Sequence, residues 1–201
     1  MAYPSDLEIY LFDLNGYLRL ERALPEADIL GLNTSIDHFP VLKPGDWHGF
    51  IHGHTYGTKD GMNYQQIYEG GDCFERLIDH PSWIEKVKHF VGGENTFDDH
   101  HGPLFIDENF LNFREPGEAI GLHSGGYPPI MRNSFRYHGG RFMCSQINIL
   151  LALTDIEPGD GGTMVIPGSH KSNFQHPQTK DHAMKPAGAS VEGTEGAIEI
   201  F

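Results

Sequence analysis

The sequence is poor in cysteine, in basic residues and in long apolar runs, and each shortage closes off a class of protein. Its 201 residues hold two cysteines, Cys73 and Cys144. Two cannot make the framework of a disulfide-stapled secreted domain, and neither belongs to a C-x-x-C pair. A reducing, cytoplasmic setting is therefore expected. Lys and Arg number 14 against 28 Asp and Glu, a formal charge of −14. That sign excludes sequence-independent binding to nucleic acid or anionic lipid, which needs a basic face. The longest apolar stretches, such as Ile147 to Leu153, fall far short of the roughly 20 residues of a membrane helix. Near the start, Asp6, Glu8 and Asp13 stand where a signal peptide would have a basic residue and an apolar run.

What the chain does have is 25 Gly, 13 Pro, 13 Phe and 8 Tyr. These suit a loop-rich globular domain with an aromatic core, short of low complexity. It also has 13 His, nearly as many as all Lys and Arg together. Histidine is the commonest side-chain metal ligand.

Phe12 to Leu20 reads as a short strand, with Asn15-Gly16 as its turn. A helix is predicted from Pro25, because Ile29, Leu32, Ile36 and Phe39 recur at helical spacing and Pro40 ends the run. Residues 41–73 lack period and read as a long structured loop. A second helix opens at Pro81, carries Ile84, Val87 and Val91 on one face, and stops at Gly92-Gly93. From residue 103 the pattern turns to strands: Leu104 to Phe113, closed by the turn Glu115-Pro116-Gly117, then Phe142 to Leu153, then Thr163 to Ile166. Gly196 to Phe201 reads as the start of a further strand, and the chain is expected to continue beyond it. Helices followed by strands predict an α+β, mainly β, single domain over 1–201. Residues 1–102 form its helical part, packed on one side of a sheet sandwich or barrel.

Two segments carry candidate chemistry. Gly121-Leu-His-Ser-Gly-Gly126 places His123 among small residues that leave room for a metal; locally, a Gly-rich turn with a solvated histidine is the plainer reading. Gly159-Asp-Gly-Gly-Thr-Met-Val-Ile-Pro-Gly-Ser-His170-Lys171 is a tight turn, a buried strand and a second turn. His170, inside that turn, is expected to hydrogen-bond to backbone. On the predicted strand from Cys144, Gln146 and Asn148 share a face, either lining a pocket or bonding to neighbouring backbone. Arg114 ends a strand within reach of an anionic ligand, though a solvated strand-end arginine is commoner. His52-Gly53-His54 and Asp98-Asp99-His100-His101 read as solvated loop clusters.

Phe12-Asp-Leu-Asn-Gly-Tyr-Leu, Leu77-Ile-Asp-His-Pro81 with the helix that follows, His123 and Gly162 to Lys171 occur in an order that resembles the phytanoyl-CoA dioxygenase family. These are Fe(II)- and 2-oxoglutarate-dependent oxygenases. The resemblance spans essentially the whole chain. It implies a double-stranded β-helix (a jelly roll) with iron at one mouth, a small organic substrate and O2. His123 takes the place of the first iron ligand, and Gln146, Asn148 and Arg114 become candidate cofactor-binding residues. Such a site is built on two His and one carboxylate, leaving positions for 2-oxoglutarate and O2. In this sequence Gly125 stands in the carboxylate position, and no acid occurs from Ser124 to Met131. The last arginine is Arg141, so the family's distal His and its 2-oxoglutarate-binding Arg are expected after Phe201. A glycine in the acid position is also how related iron halogenases look. Hydroxylation, halogenation and metal-free binding of a small molecule therefore stand as alternatives.

Overall fold

Ser5 and Glu8 open the first helix with a reciprocal capping box. Glu8 N–H donates to Ser5 Oγ at 3.3 Å, and Ser5 N–H donates to Glu8 Oε2 at 2.8 Å. The computed structural model describes residues 3–57, 60–93, 102–118, 130, 133–157 and 160–174, and the backbone of 198–200. In it α1 spans Asp6–Asn15, and Gly16 caps its end at φ 84°, a left-handed conformation suited to glycine. This corrects the strand expected from Phe12. Asn15-Gly16 is a helix stop and not a hairpin turn.

Helix α2, Glu26–Asp37, follows Pro25 as predicted. Its Leu32 is fully buried, with Ile29, Ile36 and Phe39 packed around the same core. Residues 41–73 are not a loop. They form β1 (Trp47–His48), β2 (Ile51–His54), β3 (Met62–Gln65), a 3-10 turn at Ile67–Gly70 and the short helix α3 (Asp72–Glu75). Helix α4, Ile84–Val91, ends at Gly92 as predicted.

Of the strand expected over Leu104 to Phe113, the last four residues form β4, Phe110–Phe113. β4 completes an antiparallel sheet in the order β1-β2-β3-β4. The helices cover one side of it, where Ile51 and Tyr64 join Leu32, Phe74 and Trp83 in the larger core. Burying such side chains stabilises the fold by roughly 1.5–3 kcal/mol each. A smaller core joins α1 and α4 to a hairpin. In it Phe12 stacks on Phe90 at 3.8 Å between ring centroids, and Phe142 meets both edge-on.

That hairpin pairs β5 (Phe135–His138) with β6 (Arg141–Cys144). The long strand predicted to Leu153 therefore ends at Cys144. Beyond it the chain runs irregularly back along α2. Leu151 and Leu153 pack on the larger core, and Asn33 Nδ2 donates to Leu153 O at 2.8 Å. Contact with a helix has replaced strand pairing. β7 (Thr163–Val165) pairs antiparallel with β8 (Ile198–Ile200), as both predicted strands require. The described residues thus combine helices with antiparallel sheet, and none of their helices is long and apolar enough to cross a membrane.

Candidate functional site

The strand periodicity that sends Ile51 and Tyr64 into the core sends their neighbours to the opposite face. Residues directly opposite in a ladder share a face. His54 lies opposite Asn63, and Asn63 opposite Asn112; Trp47, His52, Gln65 and Phe110 form the adjacent row. The glycine of His52-Gly53-His54 makes this arrangement possible. On the core side a Cβ at Gly53 would meet Lys43 O at 2.6 Å, so only glycine lets the 42–46 loop close over the strand. The two histidines expected to be loop residues are strand residues on one polar face.

This face is aromatic and hydrogen-bonded. Trp47 stacks on His52 at 4.5 Å, and His54 meets Tyr56 edge-on at 4.7 Å. Tyr56 Oη donates to Glu108 Oε1 at 2.7 Å and accepts from Gln65 Nε2 at 3.1 Å. Asn63 is 0% exposed; its Oδ1 accepts from Asn112 Nδ2 at 2.6 Å. Sequence reasoning overlooked Asn63 and Asn112. The signal that finds them is burial of an amide within a strand, which a sequence does not display.

The structure separates the predicted residues. Arg114 directly follows β4 and is exposed, and its stem passes over Gly61 on the face of Asn63 and Asn112. Gln146 is half-buried and donates from Nε2 to Asp107 Oδ2 at 2.7 Å. Asp107 precedes β4, so Gln146 and Arg114 are held at opposite ends of that strand. Asn148 is exposed on the irregular segment. His123 and Gly125 lie outside the described residues, as do Asp98 to His101.

His170 sits in the turn as expected, and its bonding is to backbone. Its Nε2 hydrogen-bonds with Asp13 O at 3.2 Å, and its ring meets Phe135 edge-on at 4.5 Å. Lys171 Nζ lies 3.4 Å from Asp13 Oδ2, and Gly168 N–H donates to Asn15 O at 2.9 Å. The turn thereby fastens the β7 region to the end of α1. Burial, with Lys171 nearby, holds the His170 imidazole below its ordinary pKa. Cys144 is likewise inert as a nucleophile, since burial pushes its thiol up to about 12.

Among the described residues no three His, Cys, Asp or Glu side chains gather closely enough to hold a metal ion. The described residues therefore do not form an iron site by themselves.

A helical layer on one side of antiparallel strands, with a polar opposite face, is compatible with an oxygenase of the cupin-like class. The family model of phytanoyl-CoA dioxygenase (PhyH) matches residues 12–197, and the chain belongs to that family. The family's members are oxygenases that generally use Fe(II) and 2-oxoglutarate. No curated protein and no solved structure matches the chain.

Proposed function

We propose that the protein is an Fe(II)- and 2-oxoglutarate-dependent oxygenase that hydroxylates a small organic substrate with O2. The family match over residues 12–197 carries this reading. The fold supports it. Helices on one face of an antiparallel sheet leave the other face to line the interior of a double-stranded β-helix, in which alternate strand residues point inward. On this reading residues 1–201 form one domain, helical over 1–102 and jelly-roll from 103 onward. His123 is the first iron ligand, Gly125 leaves a coordination position open, and Arg114, Gln146 and Asn148 serve cofactor binding. Of these three, Gln146 has the firmest support, because its amide is oriented by Asp107. Bound iron supplies the oxidising power for the hydroxylation as 2-oxoglutarate is converted to succinate.

Gly125 favours a second reading, a non-catalytic small-molecule binder that has lost the metal. Calorimetric titration of the full-length protein with 2-oxoglutarate, with and without Fe(II), separates the two. The oxygenase binds 2-oxoglutarate only with the metal. Equal affinity in both conditions assigns the binder, and no binding in either contradicts both.

A further inference from the structure

The polar face of the four-stranded sheet has an unmet hydrogen-bond donor at its centre. Asn63 is fully buried, and its Nδ2 has no acceptor among the described residues. Its neighbour Asn112 supplies none, because its own Nδ2 donates to Asn63 Oδ1 and, at 3.2 Å, to Asp60 O. Buried polar groups are satisfied in nearly all native sites, by protein, water or ligand, so this amide calls for an outside acceptor.

The surroundings define what that acceptor is. Arg114 reaches the same face over Gly61, where a Cβ would meet Arg114 Cγ at 2.9 Å. Gly61 has φ 80° and no side chain, so the arginine stem can lie flat there. Arg114 has no carboxylate partner among the described residues. His54 stands opposite Asn63 in the ladder. The nearest acids are engaged, Glu108 by Tyr56 and Asp107 by Gln146. In a chain of net charge −14 this is a local concentration of donors. A single guanidinium beside an amide N–H matches one carboxylate, which is acceptor-only and takes charge-assisted bonds from arginine. Tyr56 and Phe110 flank the donors with flat apolar surface.

We propose that this face receives the substrate and selects a small organic acid with a flat apolar body. Its carboxylate bonds to Asn63 Nδ2 and Arg114, and its body lies against His54, Tyr56 and Phe110. The inference rests on the oxygenase reading only in calling the bound acid a substrate; binding itself needs no iron.

The test uses metal-free full-length protein and two probes of one shape, phenylacetate and the uncharged phenylacetamide. The side-chain amide of Asn63 is followed by nitrogen-15 NMR. Fluorescence of Trp47 provides a second signal, because Trp47 is exposed on this face and Trp83 is buried in the core. The expected result is saturable binding of phenylacetate that shifts the Asn63 amide, at least tenfold tighter than phenylacetamide. Arg114→Gln, an exposed change checked by an unaltered melting temperature, weakens phenylacetate at least tenfold, and Arg114→Lys weakens it less. Equal affinity for the two probes, no binding of either, or indifference to Arg114→Gln overturns the proposal. So does displacement of phenylacetate from the Asn63 amide by 2-oxoglutarate, which would make this the cosubstrate's place. Phenylacetate binding without any iron-dependent turnover would leave the acid site standing and remove the oxygenase reading.

Discussion

Replacing Glu8 by Gln removes a charge and keeps a side chain of the same shape. Glu8 joins α1 to α4 through an ion pair, with Lys86 Nζ 2.7 Å from Oε1 and the two side chains 10% (Lys86) and 27% (Glu8) exposed. Breaking a fully buried pair by removing one partner costs about 3–5 kcal/mol, because the other charge is left uncompensated. Water reaches Glu8 more readily than that limit assumes, so the expected loss is about 2–3 kcal/mol. The Gln amide oxygen can still accept from Ser5, which separates the charge from the capping box. Urea unfolding of the wild type, Glu8→Gln, Lys86→Met and the double variant measures the coupling. The double variant should recover most of the loss, since no charge remains stranded. The pair also sets a pH dependence. The Lys86 ammonium, followed by Ser5, holds the Glu8 carboxyl below its ordinary value of 4.5. A carboxyl lowered in the folded state stabilises above the unfolded value, and that stability is lost as pH falls through the folded value. Glu8→Gln should abolish this part of the acid sensitivity. A loss under about 0.5 kcal/mol, or a double variant no better than Glu8→Gln, would refute the reasoning.

Gly16→Ala should cost about 2–4 kcal/mol by urea unfolding. The left-handed cap strains any Cβ, and here that Cβ would also run into the His170 ring; a near-neutral result would mean the turn does not dock on α1. His89, bonded to Tyr3 Oη at 2.7 Å from Nδ1, is held below its ordinary 6.5 by burial. Stability is therefore full above about pH 6.5 and declines as pH falls toward the folded value. His89→Gln should flatten that decline in melts taken across the range. Gly125→Asp should raise Fe(II) affinity and remove any chloride dependence of succinate formation. Indifference of both to the variant and to chloride would place residue 125 away from the metal.

The legible elements are those whose signals are local. α2 announces itself by the spacing of Ile29, Leu32, Ile36 and Phe39 between two prolines, and α4 by its stop at Gly92. α1 carried an equally local signal in Ser5 and Glu8, but the Asn15-Gly16 pair drew the reading toward a turn. β1 to β3 are two to four residues long, and β3 finds its second partner in β4, far along the chain. A pairing so non-local leaves no period in a short window. The same holds for the polar face. His52 and His54 were visible as a pair, while their alignment with Asn63 and Asn112 exists only in the ladder register. His170 was legible because a turn motif fixes its surroundings, and its bond to Asp13 O is the backbone contact the motif called for.

Succinate release tests the oxygenase assignment most directly. Full-length protein is incubated with Fe(II), 2-oxoglutarate, O2 and a panel of small organic acids, and succinate is quantified beside a metal-free control. The assignment predicts iron-dependent succinate that rises when an acid from the panel is hydroxylated. No iron uptake, and no succinate above the metal-free control with any member of the panel, would contradict it.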